Sequence, residues 1–169
     1  MRRHRGPARI FATEDHACEA LASGALASGD VVVVRGAGPR GDPGMRLLQR
    51  FLWQLAARGL HDRIAFVTDG RISGTNKGCA VTQVSPEAAA NGPLAAVREG
   101  DTIVIDLEAG VLDLVVADDV LQQRLSESRP PASGPARGYL NIYARTAASS
   151  GRGAALDYRA GDPVGTKPV

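Results

Sequence analysis

Four consecutive valines, Val31 to Val34, restrict the possible folds more than any other part of this chain. Four β-branched residues in a row read as a strand with both faces buried. The chain has 169 residues, 44% of them hydrophobic, which suits one domain with its own core and excludes a disordered chain. Twenty Lys and Arg against eighteen Asp and Glu leave a formal charge of +2, so no basic surface points to nucleic acid. The longest apolar stretches are strand-sized, so no membrane span is expected. The basic N-terminus, MRRHRGPARIFATEDH, lacks the apolar run of a secretory leader. With only Cys18 and Cys79 there is no disulfide framework. The expectation is a cytoplasmic protein with reduced thiols.

The valine strand has recognisable neighbours. Residues 1–8 read as a flexible basic arm, residues 9–157 as the domain and residues 158–169 as a tail. Thr13 can cap a helix over 14–23, closed by Gly24. After the valines, residues 35–45 are too rich in Gly, Pro and charge for any regular element. Met45, Leu48, Leu52 and Leu55 then predict an amphipathic helix to about Arg58. Residues 63–67 form a second strand, 68–78 a second polar glycine-rich loop and 79–84 a third strand. Ser85 and Pro86 are placed to cap and start a short helix. Residues 101–108 and 111–116 predict a hairpin turning at Ala109-Gly110. Helices over 117–128 and 139–148 follow, separated by a linker-like stretch, 129–138. The hairpin interrupts a regular strand–helix alternation. The expected class is therefore α/β, as a small mixed β-barrel with flanking helices.

Chemistry concentrates in the two loops, each of which follows a buried strand, a common place for ligands in α/β folds. Gly36, Gly38, Gly41 and Gly44 let backbone N–H groups approach an anion closely. They match no phosphate-loop pattern, however, and a purely structural loop stays open. The second loop crowds Thr68, Asp69, Arg71, Ser73, Thr75, Asn76 and Lys77 around Gly70 and Gly74. Asp69, Arg71 and Lys77 are candidates for holding a small carboxylate substrate. Ser73, near these cations, is a candidate base or nucleophile. From the residues themselves, an ordinary turn serine is the favoured reading. The nearest histidine in sequence, His61, has no evident pairing with it. Cys79 reads as a buried inert thiol. The two cysteines cannot hold an iron–sulfur cluster alone, and His4, His16 and His61 lack metal-ligand spacing.

The ordered segments GPARIFATEDHACEALASGALASGDVVVVRGAGPRGDPGM, RIAFVTDGRISG, VSPEAAANGPLAAVREGDTIVIDL and RGYLNIYARTAASSGRGAAL cover roughly residues 6–157. Together they resemble the C-terminal domain of the dihydroxy-acid and phosphogluconate dehydratase family. The resemblance implies a swivelling β/β/α domain. It also implies removal of water from a hydroxy acid with an iron–sulfur cluster and magnesium, and gives Ser73 the role of base. The family's cluster cysteines and most metal ligands lie in an N-terminal domain, so this chain is expected to hold no cofactor alone. Iron–sulfur and magnesium enter only through a separate N-terminal-type partner.

The chain departs from the family pattern around this site. The family's PGMPEM, whose glutamate binds magnesium, reads PGMRLL here. Leu47 cannot coordinate a metal, and a buried Arg46 would repel one. The family's SGGT and GH pair read SGTN and Thr82-Gln83.

Three functions follow as expectations. The first is a small subunit completing a hydro-lyase site on a separate large subunit. The second is a stand-alone, cofactor-free isomerase, cyclase or eliminase acting on a small acidic metabolite through the Ser73 loop. The third is a non-catalytic binding or assembly domain. The first expects a separate dehydratase-type large subunit, the third a homo-oligomer. All three expect the family's interdomain face to be covered by one or the other.

Overall fold

The computed structural model describes residues 1–74, 76–128 and 137–156. The valine run forms a strand with all four side chains buried. Six strands make one sheet: β1 (Arg3–Phe11), β2 (Val31–Val34), β3 (Ala65–Thr68), β4 (Ala80–Val81), β5 (Thr102–Asp106) and β6 (Val111–Leu114). Their order is β4-β3-β2-β1-β5-β6. β1 to β4 pair in parallel, and β5 pairs antiparallel with both β1 and β6. The mixed sheet curls into a half-barrel with flanking helices.

Alternation along the strands explains why both faces are dry. Val32, Val34 and Phe66 point to a layer made by α1 (Glu14–Ala22) and α2 (Arg50–Ala57), where they meet Leu21, Phe51, Leu52 and Leu55. The rings of Phe51 and Phe66 stack with centroids 5.4 Å apart. Val31, Val33, Ala65 and Val67 point the other way. That side is closed by Ile103 and Ile105 of β5 and by Ala88, Leu94 and Val97 from the turns after β4. Curling the hairpin half over this face replaces the second helical layer of a doubly wound sheet.

Local signals account for most boundaries. Thr13 caps α1 by accepting from the His16 N–H at 3.3 Å. The hairpin turn is set by Asp106, whose Oδ1 accepts from Glu108 N–H at 3.0 Å and Ala109 N–H at 2.9 Å. The Ala109 N–H, ahead of Glu108 and Arg3, holds that carboxyl below its ordinary pKa. α3 (Asp118–Glu127) is tied to the start of β5 by the Arg124–Asp101 ion pair at 2.5 Å. α4 (Tyr139–Thr146) buries Ala144 and leaves Tyr139, Leu140 and Ile142 exposed.

Four expectations change. Residues 3–8, read as an arm, belong to β1: Arg3–Pro7 pair with β5 and Ala8–Phe11 with β2. Arg3 reaches Asp106 at 2.9 Å, and Ala8 is fully buried, so tertiary partners override a sequence of weak strand formers. α2 starts at Arg50 because Met45 lies in left-handed backbone, φ 46°, which a helix cannot contain. The strand expected over 79–84 shortens to Ala80–Val81, and Gln83, φ 55°, turns the chain away. The short helix begins not at Pro86 but as a 3-10 turn at Ala88–Ala90, with Glu87 at its cap. The expected linker, except its last two residues, and the tail lie outside the described residues.

Candidate functional site

β2 and β3 are parallel, so the loops that follow them leave the same end of the sheet. Two buried carboxylates hold the first loop: Asp69 ties its base to the second loop, and Glu87 ties its middle to the turn after β4. Asp69, at 0% exposure, accepts from Gly36 N–H at 3.0 Å, Ala37 N–H at 2.8 Å and Ala88 N–H at 2.9 Å. Glu87, also buried, accepts from Arg40 N–H and Gly41 N–H, each at 3.0 Å. Burial pushes the Glu87 carboxyl above its ordinary pKa, against the pull of the Gly41 and Arg40 N–H groups. Arg35 anchors the same loop by donating to the carbonyls of Leu94, Ala95 and Val97.

This geometry changes the parts that several predicted substrate ligands play. Asp69 does not face a substrate; its oxygens are engaged by backbone donors inside the protein. Thr68 is buried and accepts from Gly70 N–H at 2.9 Å. Gly38 is small because a Cβ there would lie 2.5 Å from Glu87 Oε2. Gly70 faces Ala37 and Leu48, where a Cβ would come within 2.8 Å and 2.9 Å. Gly41 is packed against the Gly36 carbonyl.

Beyond the clasp, the chain at 45–49 runs beside 71–73. Leu47 and Arg71 form a parallel bridge, Leu48 N–H donates to Arg71 O at 2.9 Å, and Arg71 Nε donates to Met45 O. Ser73 N–H donates to Gln49 Oε1 at 2.8 Å. Ser73 and Asn76 are half-buried, and Arg71, Gly74 and Lys77 are exposed. Thr75 lies outside the described residues. The loop thus carries Ser73 between a fixed Arg71 and a solvent-facing stretch. Two non-glycine residues in left-handed backbone, Met45 and Gln83, flank it. Each such residue costs about 1–3 kcal/mol, and such conformations cluster at functional sites.

Sequence reasoning missed Glu87 and Gln49. Glu87 looks like an acid in the first turn of a helix, and Gln49 like a helix surface position. The available hint for Gln49 is its place between Leu48 and Leu52, both on the apolar stripe.

The residues here do not fit the metal groups that the family resemblance implies. Leu47 is 47% exposed and carries no donor atom. Asp69 and Glu87 are occupied by N–H groups, and Asp42 pairs with Arg46 at 3.0 Å. Arg46 is itself exposed rather than buried. Cys18 and Cys79 lie in cores on opposite faces of the sheet. Burial, ahead of Glu14 and Glu19, raises the Cys18 thiol to about 11, and burial also raises Cys79. Both therefore stay protonated, a poor state for a ligand. Among the described residues no three His, Cys, Asp or Glu side chains gather as a metal site. No described helix is long and apolar enough to cross a membrane.

The fold and its loops define a half-barrel α/β domain with a polar serine loop at the end of its parallel strands. The chain belongs to the dihydroxy-acid/6-phosphogluconate dehydratase C-terminal family, whose model matches residues 1–154. It is 46% identical over 154 residues to a dihydroxy-acid dehydratase of Acetivibrio thermocellus, covering 91% of this chain and 28% of that protein. Relatives described by the same name from Metallosphaera sedula and Moorella thermoacetica are 46% and 45% identical over 90% and 93% of this chain. The chain spans 28% of the length of each of these two relatives.

Proposed function

We propose that this chain forms one wall of a dehydratase site for a small dihydroxy acid, as the small subunit beside a separate wall that carries the iron–sulfur cluster and magnesium. The observation that supports this reading is the double hold on the serine loop. Arg71 is fixed to Met45 and Leu48, and Ser73 is fixed to Gln49, next to an exposed face. In this reading Ser73 Oγ, acting as the alkoxide that the Arg71 and Lys77 charges favour after its own proton has gone to solvent, takes the proton from the carbon next to the substrate carboxylate. The electron pair left behind forms the new carbon–carbon double bond. The hydroxyl on the neighbouring carbon departs as water, with its proton supplied from the opposite wall, and the enol rearranges to a 2-oxo acid. Arg71 and Lys77 supply positive charge for the carboxylate. No step is assigned to a metal held by this chain.

Leu47 favours a second reading, in which the same serine loop serves a cofactor-free enzyme. One experiment separates the two. The chain is recovered from its host, its absorption spectrum is recorded, and loss of water from a dihydroxy acid is assayed for the wild type and Ser73→Ala. A stoichiometric cysteine-rich iron protein, with turnover falling about 100-fold or more in Ser73→Ala, supports the small-subunit reading. A colourless protein that alone converts a hydroxy acid through Ser73 supports the second. Full turnover in Ser73→Ala removes the serine from both.

A further inference from the structure

Gln49 occupies the cap position of α2 but does not cap it. That duty falls to Glu14 on α1, whose Oε1 accepts from Phe51 N–H at 2.9 Å. The Gln49 side chain instead crosses to the serine loop, where Oε1 accepts from Ser73 N–H at 2.8 Å. This bond fixes the orientation of the amide, because the flipped form would set two donors against each other. The other end, Nε2, is buried and has no hydrogen-bond partner among the described residues, and Gln49 as a whole is only 5% exposed. Amide geometry keeps Nε2 within about 5 Å of the Ser73 nitrogen. A buried N–H without an acceptor is costly, and such groups are uncommon in folded proteins. The cost has a use if an acceptor arrives with the ligand.

We propose that Gln49 is the positioning residue of Ser73, and that its spare amide N–H donates to an oxygen of a hydroxy acid bound beside that serine. The inference rests on the dehydratase reading of the same loop and adds a specific recognition contact. An acceptor oxygen satisfies the donor, whereas an apolar group of the same size leaves it unpaired, so the contact selects oxygen-bearing substrates.

The test uses the full chain labelled with nitrogen-15 and glycerate, the simplest 2,3-dihydroxy acid, at up to about 10 mM. The side-chain N–H pair of Gln49 is assigned by its loss in Gln49→Glu. Glycerate is expected to shift that pair together with the backbone amides of residues 71–74. Gln49→Glu keeps an acceptor for Ser73 N–H but has no donor when ionised. It is therefore expected to retain the hydrogen-exchange protection of the Ser73 amide while binding glycerate about tenfold more weakly near neutral pH. Mildly acidic buffer, which protonates the new carboxyl, is expected to restore binding, with wild type at both pH values as control. A purely structural glutamine would give no such acid rescue. If glycerate shifts residues 71–74 but Gln49→Glu binds it equally well, this inference falls and the site reading stands. If glycerate shifts none of these amides, ligand binding by this loop falls, and the inference with it.

Discussion

The two glycine-rich loops leave adjacent strands at the same end of the sheet, yet they are held by different means. The first, from Gly36 to Gly41, is fastened through its own backbone, with N–H groups closing on the buried carboxylates of Asp69 and Glu87. The second is fixed at Arg71 and Ser73 by the neighbouring segment and then passes to exposed residues. Backbone-to-carboxylate bonds leave few side chains free for chemistry but set the loop shape firmly. Side-chain and bridge contacts leave Ser73 at the edge of solvent. The first loop is therefore scaffold, and the second keeps the polar side chains of Arg71, Ser73 and Lys77 at the edge of solvent.

The largest expected effect tests the scaffold half of this contrast. Asp69→Ala strands three backbone N–H groups and is expected to cost about 3–4 kcal/mol in urea unfolding. Ser73→Ala is expected to stay within about 0.5 kcal/mol of wild type in the same measurement. Equal losses would erase the distinction between the loops. A steric comparison comes next. Gly38→Ala forces a Cβ against Glu87 and is expected to cost about 1–3 kcal/mol. Gly74→Ala meets nothing within 4 Å and is expected to change stability by less than about 0.5 kcal/mol. Thermal melts of the two variants decide it.

The smallest effect is a pH slope. Glu87 has a folded pKa raised above its ordinary value of 4.5. Between those two values the folded state binds more protons than the unfolded state. Its contribution to stability is thus fully present below the ordinary value and is lost as pH rises through the folded one. Glu87→Gln is expected to flatten this part of the stability profile, whereas Ser73→Ala leaves it unchanged. Urea titrations at a series of mildly acidic pH values measure the difference.

The sequence made some of this arrangement legible. Val31 to Val34, the Thr13 cap and the Ala109-Gly110 turn each act locally, and each lies where composition placed it. The family pattern located the serine loop. What stayed hidden depends on partners distant in sequence. Arg3, Gly6 and Pro7 carry no strand signal, and only pairing with β5 makes them one. Asp69 looks like a substrate ligand because its donors are backbone N–H groups up to 33 residues away, which side-chain patterns do not reveal. Gln49 and Glu87 were silent for the same reason: each bonds to main-chain N–H groups of a different loop.

β1 also sets the order of events during synthesis. Arg3 pairs with Asp106, so one side of the central strand waits for a partner that leaves the ribosome about a hundred residues later. Its other side can join β2 much sooner, since Ala8 pairs with Val31. The nascent chain therefore carries a half-paired strand edge until β5 emerges. Closing so long a loop is slow, and an open edge invites pairing with another chain.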